Sequence, residues 1–139
     1  MQHWKVSYIA FFDHDGKIML NRRLDWKNPN EAVYEMIGGS VKDDEQPIEA
    51  IKREIMEELD YEIDEVRDEI KLINKFEFDQ QDRHYEVYAF KAKFPGFDKF
   101  SDTEEINVED LRLCDLEEAL NLYLLPMAKE IVLYLAKQK

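Results

Sequence analysis

Along the first 23 residues the apolar positions fall into two runs separated by a turn signal. WKVSYIAFF (4–12) is rich in aromatic and β-branched types, DHDG (13–16) breaks the run, and KIMLNRR follows, a pattern that predicts a β-hairpin. LDWKNPNEA (24–32) carries Asn-Pro-Asn and is expected to form a loop. VYEMI (33–37) is expected to form a short strand that ends at Gly38-Gly39. A second hairpin is predicted over 71–80 and 83–94 around DQQD, with a short extended piece over 107–113. The C-terminal helix is predicted to start at Asp115, where Glu118 completes a capping box, and Pro126 kinks or splits it before MAKEIVLYLAKQK. No internal repeat or low-complexity segment interrupts this order. Strands both precede and follow the first helix, so a layered α/β or α+β domain is the expected class.

That first helix has the clearest periodicity. Gln46 stands at its N-cap and Pro47 at the first helical position, where a missing N–H does no harm. At ~100° per residue, Ile48, Ile51, Ile55 and Leu59 gather in a stripe ~80° wide, and Glu54, Glu57 and Glu58 in a separate arc ~100° wide. One face is core and the next is carboxylate. Like charges at i,i+3 and i,i+4 repel, and negative charge in a last turn opposes the helix dipole. A hard divalent cation with a preference for oxygen ligands reverses the sign of that arrangement.

Composition narrows the partners. The chain has 139 residues, 45% of them hydrophobic, which suits one domain over 1–139 with a single closed core. Its net charge of −13 opposes binding to a nucleic-acid polymer or to an anionic membrane surface. Cys114 is the only cysteine, so no internal disulfide forms and no oxidising compartment is indicated; a cytoplasmic location is expected. The run YIAFF is too short for a signal-peptide core, no segment reaches ~18 apolar residues, and no targeting segment is expected.

Glu-rich helix ends are usually solvated faces, and it is the wider spacing that separates this one from them. From Gly39 the chain reads G-x5-E-x7-R-E-I-x-E-E-L, with Glu45, Arg53, Glu54, Ile55, Glu57 and Glu58 at fixed offsets. A chance match at this chain's own residue frequencies is on the order of 10⁻⁵ to 10⁻⁴. The stretch 39–61 resembles the Nudix box, the signature of hydrolases that cleave nucleoside diphosphates linked to another moiety. The resemblance implies an α/β/α sandwich with a mixed sheet, a loop–helix–loop box and a C-terminal helix. It also implies Mg²⁺ or Mn²⁺ as cofactor. Glu54, Glu57 and Glu58 match the metal-binding glutamates, and Gly39 matches the glycine whose carbonyl completes the site. Arg53 and Glu45 match a pair that braces the loop against the helix. Four positions depart from the pattern: Asp60 stands for a glycine, Tyr61 for an aliphatic residue, Ile37 for a proline and Asp44 for a glycine. None removes a carboxylate, and Asp is among the residue types that visit the left-handed region.

On this resemblance Glu54 and Glu58, one turn apart, are expected to ligate the cation directly. Glu57 is a further ligand or the acceptor of the water proton, roles that helix spacing alone does not separate. In SDTEEINVEDLRL (101–113), Glu105 best fits a base or extra ligand from a later loop, with Glu104 its neighbour; a solvated acid is the alternative for both. Arg22 and Arg23 are placed to reach a substrate phosphate or to balance local acids. Glu35 either touches the catalytic pocket or faces solvent. Trp26 and Tyr34 either stack a nucleobase or pack. His84 is assigned no function. Phe76, Glu77 and Phe78 occupy the region where some Nudix groups carry a marker proline or tyrosine. By elimination the chain resembles the MutT-like group, which converts nucleoside triphosphates to monophosphate and pyrophosphate. The expected partner is therefore a small nucleotide, with the chain a monomer or homodimer. The alternatives are a Nudix-fold nucleotide-binding or sensor domain without catalysis and, less favoured because Cys114 reads as a small apolar filler, an isoprenoid diphosphate isomerase.

Overall fold

The computed structural model describes residues 1–25 and 28–138. Its central strand, β1 (Gln2–Phe12), is apolar on both sides, as a strand covered on both faces must be. Val6 and Ala10 join the core beneath the C-terminal helices α2 (Leu116–Leu120) and α3 (Pro126–Lys137), while Ile9 and Phe11 join the core beneath α1 (Pro47–Leu59). Helices therefore cover opposite faces of the sheet, which gives the expected α/β/α arrangement. On α1, Ile51, Ile55 and Leu59 are fully buried, as the stripe required.

The sheet is mixed. β1 runs parallel to β6 (Arg83–Lys93) over its whole length and antiparallel to β4 (Ile37–Ser40). β6 pairs antiparallel with β5 (Lys71–Gln80) through a tight turn in which Gln81 and Asp82 both have positive φ, the geometry that matches strand twist. β2 (Ile18–Asp25) lies between β3 (Asn28–Glu35) and β7 (Leu111–Cys114). The predicted first hairpin is corrected here: β1 and β2 share one register pair, Phe12↔Ile18, and then part, because β6 and β4 take up the edges of β1.

Three further boundaries differ from the pattern. The expected loop over 24–32 is largely strand, with Leu24 and Asp25 in β2 and Asn28 onward in β3. Pro29 is tolerated there because β3 is an edge strand of the sheet and its register shifts beside Leu24 and Asp25. Gly38 and Gly39 do not end a strand; they lie inside β4, opposite Tyr8 and Ser7. The stretch before β7 is a 3₁₀ turn, Val108–Asp110, rather than extended. Pro126 does split the C-terminal helix, starting α3 as its first residue, and Asp115 with Glu118 caps α2.

Candidate active site

Arg53 organises the carboxylates of α1. Its Nε and Nη2 donate to the two oxygens of Glu45 at 2.7 and 3.0 Å, the bidentate fork that guanidinium geometry favours, and Nη2 also donates to the Ser40 carbonyl at 2.9 Å. Its Nη1 reaches Glu54 at 3.0 Å and Glu57 at 3.3 Å. Glu45 in turn accepts the Lys42 N–H at 3.0 Å, closing the loop that leads into the helix. The guanidinium holds the Glu45 carboxyl at about 2, well below its ordinary 4.5. The bracing geometry expected of this pair is present.

In a second set of carboxylates only Glu54 touches a guanidinium, that of Arg53. Glu54, Glu58 and Glu105 each place a carboxylate oxygen within 4.8 Å of the others. Burial first, then the charges of Glu54 and Glu105, push Glu58 up to about 8, against one Gly38 N–H that donates to it at 3.1 Å. Glu54 is also raised, by burial that outweighs its contact with Arg53. An all-oxygen donor set of this charge fits a hard divalent cation.

Glu105 is brought to α1 by its own loop. The Ser101 N–H donates to the Leu59 carbonyl at 3.0 Å, and the Thr103 hydroxyl to the Glu58 carbonyl at 2.8 Å, so the loop caps free carbonyls of the last turn. Thr103 Oγ then accepts the N–H groups of Glu105 and Ile106, both at 3.2 Å. Asp60 ends the helix in the left-handed region at φ 52°, its N–H on the Met56 carbonyl. Tyr61 donates its hydroxyl to buried Asp68 at 2.9 Å, so this departure from the family pattern is absorbed locally.

Gly39 leaves room for a ligand candidate. A Cβ there would stand 2.5–2.9 Å from the Glu54 carboxylate, so a side chain at this position would push that carboxylate from its place. Glu57 stands apart from the three clustered carboxylates, facing Arg53 with its side chain 46% exposed. Arg23 is paired with Glu35 at 3.2 Å and Arg22 with Asp110 at 3.6 Å; both arginines line a cleft of about 330 Å³ together with Glu104 and Glu105. Trp26 lies outside the described residues. Tyr34 is core rather than platform, buried under α2 and α3, and its hydroxyl meets Arg112 at 3.5 Å. His84 is held between Asp79 and Glu77, and burial pushes the Cys114 thiol up to about 11, the behaviour of an inert filler.

Sequence reasoning missed Tyr8 and Thr103. Tyr8 faces Gly38 across the β1–β4 register, and burial with the charges of Glu35, Glu58 and Glu54 pushes its phenol up to about 12. Nothing in an apolar strand pattern marks it. For Thr103 the signal was present, since Thr followed by Glu-Glu-Ile is a side-chain turn pattern.

The NUDIX domain model matches residues 1–135. The solution structure of the E. coli ORF135 protein is 25% identical, covers 99% of this chain and 92% of its own, and superposes with a TM-score of 0.73. A structure of MutT from a study of Aliivibrio salmonicida and Vibrio cholerae is 18% identical, with a TM-score of 0.74 and coverage of 99% and 100%. The E. coli dihydroneopterin triphosphate pyrophosphohydrolase is 17% identical, with a TM-score of 0.65 and coverage of 92% and 91%. Among curated proteins none matches the sequence. The chain belongs to the Nudix family. MutT-type structures and an Ap4A hydrolase are among its structural neighbours. No helix among the described residues is long and apolar enough to cross a membrane.

Proposed function

We propose that this enzyme hydrolyses a phosphoanhydride bond of a nucleoside diphosphate-X compound, namely a nucleoside triphosphate cleaved to monophosphate and pyrophosphate. The observation that carries the reading is the gathering of Glu54, Glu58 and Glu105 from two separate segments. Glu54, Glu57 and Glu58 with the Gly39 carbonyl are the proposed holders of Mg²⁺ or Mn²⁺, and Glu105 extends the set. A bound cation supplies neutralisation of the polyphosphate and a lower pKa for the attacking water. The chain's own groups do the rest. Arg53, pinned to Glu45 and Ser40, holds Glu54 and Glu57 in place. Glu57 and Glu105, the exposed members, are the candidates to take the water proton at a carboxylate oxygen. Arg23, which lines the cleft, and Glu35, its ion-pair partner, are proposed to meet the substrate, as is Trp26.

A dihydroneopterin triphosphate pyrophosphohydrolase among the neighbours agrees with a triphosphate substrate, and an Ap4A hydrolase stands beside it at a similar TM-score. We further propose one domain over 1–139, a monomer or homodimer, acting in the cytoplasm on a small molecule and not on a nucleic-acid polymer, consistent with the charge of −13. The test is a screen of nucleoside triphosphates, nucleotide sugars and dinucleotides with Mg²⁺ or Mn²⁺, read by separate phosphate and pyrophosphate assays. Pyrophosphate release from triphosphates is expected. Release of phosphate alone, or no turnover of any compound, contradicts the reading.

A further inference from the structure

One largely buried polar side chain beside the acidic cluster has no hydrogen-bond partner among the described residues. Asn21 is only 4% exposed, and among the described residues its carboxamide takes part in no hydrogen bond. No side-chain polar atom among those residues is both sealed from solvent and unpaired, so what remains open of Asn21 is the carboxamide itself. It opens into the cleft of about 330 Å³ between Arg22 and Arg23 on one side and Glu105, Ile106 and Asp110 on the other. Strand alternation puts Asn21 on the same face of β2 as Met19, which packs in the α1 core, and Glu35 lies directly across the register. The carboxamide thus sits at the floor of the cleft on the side where the carboxylates gather.

The chemistry of this floor selects its ligand. Among the described residues, none that lines the cleft is aromatic. It offers two guanidinium groups, each in an exposed pair of the kind that contributes little and is exchanged at small cost. An amide N–H donates to an anion without adding a positive charge that would compete for the neighbouring glutamates. Because the carboxamide opens into the cleft, a ligand oxygen there takes the place of solvent as its hydrogen-bond partner.

We infer that Asn21 is a specificity-determining residue whose carboxamide donates to non-bridging oxygens of the terminal phosphate of the substrate, seated in the cleft between Arg23 and Glu105. The inference rests on the triphosphate reading above. It makes the cleft the seat of the leaving pyrophosphate, with Arg22 and Arg23 turning from Asp110 and Glu35 toward the same group.

The test is calorimetric titration of pyrophosphate, and separately of each common nucleoside monophosphate, into the wild type and Asn21→Leu with Mg²⁺ present. Melting curves are recorded alongside, and Asn21→Gln serves as the variant that keeps the donor. Loss of a hydrogen bond to a charged group predicts pyrophosphate binding weaker by roughly tenfold or more in Asn21→Leu. Monophosphate binding and melting temperature should stay near wild type, and Asn21→Gln should recover part of the loss. In turnover, KM should rise with kcat nearly unchanged, as for binding lost equally in ground and transition states. Equal weakening of both ligands, or no weakening of pyrophosphate, overturns the assignment; should Asn21→Leu fail to fold, Asn21→Gln and Asn21→Ser decide by the same ratio of ligands. Absence of pyrophosphate binding in a wild type that hydrolyses triphosphates overturns this inference alone, whereas absence of hydrolysis with the binding ratio intact overturns the functional reading alone.

Discussion

Glu45 and Glu58 flank the same helix and have opposite fates. Glu45 meets Arg53 through two short bonds and is held at about 2; Glu58 meets two other carboxylates and is pushed to about 8. One carboxylate has its cation built into the chain and the other does not. The difference separates two uses of charge on one element. The Arg53–Glu45 pair fixes the loop, and in the cluster of Glu54, Glu58 and Glu105 a single contact, Arg53 to Glu54, offsets the three carboxylates. Repulsion within the cluster is tolerable because the hydrophobic stripe of α1 and the capping by Ser101 and Thr103 hold the helix in place.

Glu58→Gln attacks the uncompensated side and should have the largest effect. Turnover is expected to fall on the order of 10²–10³-fold, the scale seen when a group that stabilises transition-state charge is lost. The metal-free variant should melt no lower than wild type, because a neutral carboxamide replaces a buried carboxyl that the fold already holds protonated below about 8. Steady-state rates beside a melting curve check this; near wild-type turnover would remove Glu58 from the site.

Arg53→Ala attacks the compensated side. It strands Glu45 and frees Glu57, so both melting temperature and activity should drop, the former by about 5 °C or more. Loss of activity without loss of stability would mean the brace is not structural.

Thr103→Val leaves every carboxylate in place and removes only the fastening of the Glu105 loop to the end of α1. A roughly tenfold loss of turnover is expected, the scale of removing an outer partner of a metal ligand. Thr103→Ser should restore it, since the hydroxyl alone makes these contacts. Equal rates for Val and Ser variants would contradict the positioning role.

The smallest effect is in pH. Glu58 is raised in the fold, so its contribution to metal-free stability is complete below about 4.5 and is lost as pH rises toward about 8. Glu45 is lowered, so its contribution is complete above about 4.5 and is lost as pH falls toward about 2. Melting curves with a chelator should therefore decline on the alkaline limb in wild type, and Glu58→Gln should flatten that limb only. A flattened acid limb instead would reverse the assignment of the two carboxylates.

Much of this contrast was legible in the sequence because it lies on one regular helix. A 3.6-residue period places Ile51, Ile55 and Leu59 on one face and Glu54 and Glu58 on another without knowledge of anything else. Strand partners were not legible in the same way: WKVSYIAFF and KIMLNRR read as a hairpin, yet the edges of β1 are taken by β6 and β4, segments far away in the chain. Local turn chemistry also misled at Asn-Pro-Asn, since an edge strand accommodates a proline that a central strand excludes. The clustering of Glu105 with Glu54 and Glu58 and the cleft onto which Asn21 opens depend on how the loop 101–107 docks on α1. That docking is set by Ser101 and Thr103 meeting helix-end carbonyls, contacts that no periodicity encodes.

The most direct test of the central claim is a thermal melt titrated with Mg²⁺ in wild type and Glu58→Gln, with ionic strength held constant by NaCl. If the cluster holds the cation, Mg²⁺ at a hundredfold excess over its dissociation constant stabilises the wild type by ~2.7 kcal/mol, a shift of several degrees. Monovalent salt alone does much less, since screening weakens repulsion without coordinating. Glu58→Gln should lose most of the Mg²⁺ shift at the same concentration. An equal shift in the two proteins would show that the glutamates of α1 form a solvated acidic face, and the cation site would have to be sought elsewhere.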